Sequence, residues 1–113
     1  MRAALMGQAD ILDELLSAGV DLRRRNADGN NALWLACVSD DAHVVQRLIK
    51  AGIDIDNQND AGATALMYTA SAGKATLCQL LLDAGASPHL RNQDDFQAID
   101  LASTWECLKA LRS

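Results

Sequence analysis

Gly29-Asn-Asn-Ala-Leu-Trp-Leu-Ala36, Gly62-Ala-Thr-Ala-Leu-Met-Tyr-Thr69 and Asp95-Phe-Gln-Ala-Ile-Asp-Leu-Ala102 are three versions of one phrase, each starting 33 residues after the last. A second landmark keeps the same spacing: Gly19, Gly52 and Gly85 each follow a Leu/Ile-rich stretch, Leu15-Leu16, Leu48-Ile49 and Leu81-Leu82. Two independent landmarks with one period define a repeat array. Stacked repeats build extended recognition surfaces rather than enclosed reaction pockets.

The middle copy shows how one unit folds. Asn59-Asp60-Ala61-Gly62-Ala63 carries turn chemistry, with glycine free to take positive φ and Asn or Asp able to bond nearby backbone. Thr64 then starts a short helix whose Leu66, Thr69 and Ala70 share a packing face, while Tyr68, Ser71 and Ala72 look outward. After Gly73 a second helix runs to about Asp83, with Leu77, Leu80, Leu81 and part of Leu82 as its apolar set, and Gly85 ends it in a left-handed cap. The stretch from Asp54 to Gly62 is too polar for a core strand and fits a projecting, hairpin-like loop. In register, Leu33, Leu66 and Ile99 are expected to be buried.

This order of turn, short helix, loop, longer helix and glycine resembles the ankyrin repeat. The hallmark Thr-Pro-Leu-His-x-Ala stands here as Thr64-Ala65-Leu66-Met67-Tyr68-Thr69 and Asn31-Ala32-Leu33-Trp34-Leu35-Ala36. The resemblance covers essentially the whole chain: 1–25 as a unit entered midway, 26–58 and 59–91 as complete units, and 92–113 as a shortened last unit. It implies an all-α solenoid of helix-turn-helix units in a single domain. Two features depart from the family pattern. The proline is always alanine (Ala32, Ala65, Ala98), and the histidine is replaced by Trp34, Met67 and Asp100, so its bonds to the turn backbone are expected to be lost. Ser103-Thr-Trp-Glu106 reads as a capping box opening a last helix, with Leu108 and Leu111 inward and Lys109 and Arg112 wet. At the other end, the first helix begins at or before Met1, and Asp10, Asp13 and Glu14 suit the start of its second helix.

Composition is compatible with a small soluble domain in which half the residues are apolar, largely Ala and Leu, as closely packed short helices require. Every helical segment is broken by Asp, Gly, Gln or Lys, so no membrane span or membrane partner is expected. The first residues lack the pattern of a secretory signal. A net charge of −5 opposes the phosphate contacts of nucleic-acid binding, and Arg23-Arg24-Arg25 beside Asp21 and Asp28 reads first as a solvated loop. Cys37, Cys78 and Cys107 form no C-x-x-C pair and leave one over, which points to reduced thiols and a cytoplasmic setting.

Constellations that could carry chemistry are weak. Asp54-x-Asp56-x-Gln58-x-Asp60 imitates a calcium loop, yet Asn59 stands where glycine is needed and Ala65 where a bidentate glutamate is needed. His43 and His89 have no companion at metal-ligand spacing, and no strained nucleophile turn or phosphate-binding glycine loop occurs. No catalytic residue, metal or cofactor is therefore expected, and an unrecognised small enzyme is the distant alternative.

What the repeat leaves unexplained points to binding. Superposed units place Leu35, Tyr68 and Leu101 at one outward position of the first helix and Val38, Ser71 and Thr104 one turn along, with Leu5, Met6, Ser39, Ala72 and Trp105 completing the surface. Phe96 aligns with Asn30 and Ala63 at the loop tips, and Trp34 either joins this surface or seals a gap between repeats. Arg25 and Arg91 hold equivalent places at the ends of the loops, with Gln58 between them. By resemblance, loop tips and first-helix face grip a protein partner. An apolar patch flanked by arginines favours a hydrophobic, acidic segment. The reading is a monomeric, non-catalytic interaction module, or alternatively an inhibitory or assembly subunit that blocks or positions a partner enzyme.

Overall fold

The computed structural model describes residues 25–112, and the early unit, including Leu5, Met6, Asp10, Asp13, Glu14, Arg23 and Arg24, lies outside them. The described residues form α1 (Ala32–Val38), α2 (Ala42–Lys50), α3 (Ala65–Ser71), α4 (Ala75–Asp83), α5 (Ala98–Leu101) and α6 (Trp105–Arg112), with no strand among them. These are three helix pairs at the expected period, the second member longer each time.

Short polar side chains set the helix starts. Asn31 Oδ1 accepts from the Trp34 N–H at 3.3 Å, Asp41 Oδ1 from Val44 at 3.2 Å and Thr64 Oγ1 from Met67 at 3.2 Å, each satisfying a donor that the first turn leaves unpaired. The last start differs from the expected capping box. Ala102 is extended (φ −60°, ψ 122°), which ends α5 after four residues, and Thr104 Oγ1, not Ser103, caps α6 by accepting from Cys107 at 3.2 Å. Ser103 instead turns to the preceding unit, donating its N–H (3.1 Å) and Oγ (3.4 Å) to Ala70 O. Thr104 thus leaves the first-helix face assigned to it. Glu106 remains in the first turn of α6, where negative charge suits the helix dipole.

The turns inside the pairs need a left-handed residue at one position. Gly73 takes it at φ +74°, and a Cβ there would lie 2.9 Å from Thr104 Cγ2; Asp40, 33 residues earlier, adopts φ +59° as a non-glycine residue.

The core lies between the layers of first and second helices. Leu33, Val45, Leu48, Cys37, Ala70, Leu81 and Cys78 are sealed from solvent, and Leu66 is 1% exposed. Ile99, expected to match Leu33 and Leu66, is only half-buried: α5 packs chiefly on α3 and α6, and no further described helix covers it. Every helix packs on its pair mate, and the first helices also pack on one another from pair to pair, as in a one-dimensional stack. Met67, in place of the family histidine, is buried at 2% exposure.

The projecting loops are held by a periodic set of asparagines. Asn26 Oδ1 accepts from the N–H groups of Asp28 and Asn30 (both 3.0 Å), Asn59 Oδ1 from Ala61 (3.0 Å) and Ala63 (2.9 Å), and Asn92 Oδ1 from Asp94 (2.9 Å) and Phe96 (3.0 Å). These bonds hold the turn backbone where the missing histidines do not. Neighbouring loops are joined by Asp60 N–H to Asp28 O (3.0 Å), Gln93 N–H to Ala61 O (2.9 Å) and Asn59 Nδ2 to Asn30 Oδ1 (2.8 Å). Gly62, at φ +78°, lets the next loop approach: a Cβ there would stand 3.0 Å from Asn92 Cα and Gln93 N. Asp95 takes the same conformation without glycine, at φ +67°.

Candidate interaction surface

Large apolar side chains exposed among the described residues are Leu35 (43%), Val38 (49%), Phe96 (46%) and Trp105 (61%). Leu35 and Val38 lie on α1, Trp105 opens α6 just after the α5 turn, and Phe96 stands on the last described loop. Ser71 and Ala72 are exposed between the α1 and α6 members, and Leu101 is half-buried.

Tyr68 does not stand free as the helical wheel suggests. Its ring lies 5.2 Å from that of Trp34, tilted by 42°, and Lys74 Nζ sits 5.6 Å from the Tyr68 centroid. Both aromatic rings are half-buried, so Trp34 bridges two units through Tyr68. Lys74 completes the junction. Its ammonium donates to Cys37 O at 3.0 Å and Val38 O at 3.4 Å, the carbonyls that end α1, and stands 3.9 Å from Asp40.

The aligned loop residues also spend donors inside the chain. Arg25 Nε donates to Gly29 O (2.8 Å) and its Nη2 to Gln58 O (3.0 Å); Gln58 Nε2 reaches Gly62 O (3.0 Å) and Arg91 O (2.9 Å). Arg91 Nη1 donates to Asp95 O at 2.9 Å and pairs with its carboxylate at 3.6 Å. One brace, from a side chain to the carbonyl four residues on and to the next loop, recurs at Arg25 and Gln58. Phe96 is exposed for a related reason. Asn30, its counterpart, is buried at 8% beneath the next loop, and Ala63 is half-buried, while no other described loop covers Phe96.

Among the described residues no cluster of three or more His, Cys, Asp or Glu could hold a metal, and no helix is long and apolar enough to cross a membrane. The calcium-like carboxylates act within the backbone: Asp54 Oδ1 accepts from Asp56 N–H at 3.1 Å, and Asp56 Oδ1 from Ser87 N–H at 2.8 Å. All three cysteines are buried and free. Burial pushes the Cys37 thiol up to about 12, against a smaller lowering by Lys74, and Cys78 up to about 11. Protonated, enclosed thiols are poor nucleophiles.

The sequence marks Asn59 as a turn residue able to bond nearby backbone, which it does, but singles out neither Asn26, Asn92 nor Lys74. Asn26, Asn59 and Asn92 share the 33-residue spacing, so their role was open to view there; that of Lys74, which reaches across to another unit, was not.

Helix pairs stacked with projecting, mutually bonded loops define a repeat solenoid. A family model described as ankyrin repeats (3 copies) matches residues 1–112, and the chain belongs to the ankyrin-repeat family. Ankyrin repeats are generally protein–protein interaction modules. A search of curated proteins returns no match. Among solved structures, the ankyrin repeat domain of Bcl-3, a unique member of the IkappaB protein family, superposes with a TM-score of 0.90 at 23% identity, over 97% of this chain and 49% of that one. The chain thus spans about half the length of that structure, and the likeness concerns the fold.

Proposed function

We propose that the chain is a non-catalytic, monomeric module that holds a protein partner on its first-helix face and loop tips. The observation that carries this is the distribution of exposed apolar groups: Leu35, Val38, Phe96 and Trp105 remain open on α1, on the last described loop and at the start of α6, while the other large aliphatic side chains of the described units turn inward or are half-covered. Trp34, Tyr68, Lys74, Arg25 and Arg91 serve this surface mainly by fixing its shape, since each already has partners within the chain. A rigid platform loses little conformational entropy on binding. The same reading places the module in a reducing, cytoplasmic setting, supported by three unpaired thiols.

The test is capture of partners by the wild-type chain and by Leu35→Asp and Trp105→Ala variants, followed by affinity measurement on any partner identified. At least one first-face variant should weaken binding by about 1–2 kcal/mol with the urea midpoint retained. Wild-type affinity in both, with binding lost instead on changing Gln46 or Gln79 of the second helices, sinks the assignment.

A further inference from the structure

The second helices carry a feature that the repeat period does not demand. At the later junction α4 packs on α6, but at the earlier one α2 and α4 barely meet, although their partners α1 and α3 are in contact. The gap between α2 and α4 is a groove. One cavity of about 510 Å³ has Ile49 and Leu80 in its lining, with Lys50 and Asp83 toward the helix C-termini. A second, of about 560 Å³, is framed by Thr76 and Gln79 and shares Gln46, Leu80 and Asp83 with the first. Together they form one channel along α4. Ile49 and Leu80 are half-buried there, leaving aliphatic surface that closer packing of α2 on α4 would cover.

Charge is distributed unevenly around this channel. Exposed Asp28, Asp60, Asp94 and Asp95 crowd the loops, whereas the groove lining carries Arg47 and Lys50 against Asp83; Lys109, Arg112 and Glu106 lie on α6, outside the lining. Arg47 and Lys109 have contacts of their own within the chain. Asp83, the one carboxylate lining the groove, accepts from Gln79 Nε2 at 2.9 Å and keeps its negative charge, so the lining cations Arg47 and Lys50 exceed the lining carboxylates by one. A chain of net charge −5 therefore shows a locally basic rim over an aliphatic floor. Acidic ligands are attracted to such a rim and basic ones repelled.

We propose that the α2–α4 groove docks an acidic amphipathic helix of a partner protein, its aliphatic ridge on Ile49 and Leu80 and its carboxylates toward Lys50. The nine residues of α4 span about 13 Å at 1.5 Å per residue, room for two to three turns of a docked helix with anchors at i and i+3 or i+4. This surface is distinct from the first-helix face, so the two could be occupied together.

The test uses the full chain and a displayed library of short helical peptides with leucine at i, i+3 and i+7, half flanked by glutamate and half by lysine. Selection should enrich the glutamate-flanked half. Titrating the best binder into isotopically labelled chain should shift amides of 46–50 and 79–84 in a saturable way. Lys50→Glu, at an exposed position, and Leu80→Gln should each weaken that binder about tenfold or more, with folding checked by urea midpoint, while Phe96→Ala leaves it unchanged. No enrichment over the Lys50→Glu chain, equal enrichment of lysine-flanked peptides, or shifts confined to Leu35, Val38 and Trp105 overturns the proposal. Because Phe96 and Leu35 report on the other face, failure here is separable from failure of the first-helix reading.

Discussion

Replacing Asn59 by alanine tests whether the loops are held by side-chain amides rather than by the histidine that the family uses. The substitution removes three bonds: Oδ1 from the N–H groups of Ala61 and Ala63, and Nδ2 to Asn30 Oδ1 in the preceding loop. Each such bond contributes roughly 0.5–1.5 kcal/mol net, and water recovers part of that at a half-buried loop, so the expected cost is about 2–3 kcal/mol. Asn92 provides the natural control. It accepts two backbone N–H groups and bonds no neighbouring asparagine, so Asn92→Ala should cost only about 1 kcal/mol. Urea denaturation followed by circular dichroism reads both, at unchanged slope. If Asn59→Ala shifts the midpoint no more than Asn92→Ala, the bond between loops adds nothing and the ladder is not what stabilises the stack.

Leu66→Ala truncates a core side chain that is 1% exposed, and the same denaturation assay should show a loss of about 2–5 kcal/mol; an unchanged midpoint contradicts the register. Tyr68→Ala should cost stability as well as any binding, by about 0.5–1.5 kcal/mol for the ring pair with Trp34, whereas Phe96→Ala should leave the midpoint within about 0.5 kcal/mol; equal shifts refute the distinction. Thiol titration in denaturant without reductant should count three reactive groups, with slow reaction in the native state at pH 8, and a disulfide-linked peptide by mass spectrometry overturns this. The thiol pKa values of Cys37 and Cys78 are raised on folding from an ordinary 9.0 to about 12 and about 11, so their contribution is fully present below pH 9 and lost as pH rises through that window; a melting temperature that holds steady from pH 9 to 11 is evidence against enclosed thiols.

The sequence by itself determined the period, the helix pairs and most of the core, because each of these rests on local chemistry repeated at fixed spacing. Leu33 and Leu66, the helix start at Thr64, and Gly85 at the end of α4 were all legible for that reason. Where the reading depended on what lies across a junction, tertiary structure decided. Tyr68 faces outward on its own helix, yet meets Trp34 and Lys74 from outside it. Ile99 matches Leu66 in register, but stays half-buried because no further described unit packs on it. Arg25 and Arg91 read as arginines flanking an apolar patch, and each spends part of its guanidinium on nearby carbonyls. The groove between α2 and α4 had no sequence signature at all: it depends on how closely two non-adjacent helices approach, a distance set by the packing of every layer between them.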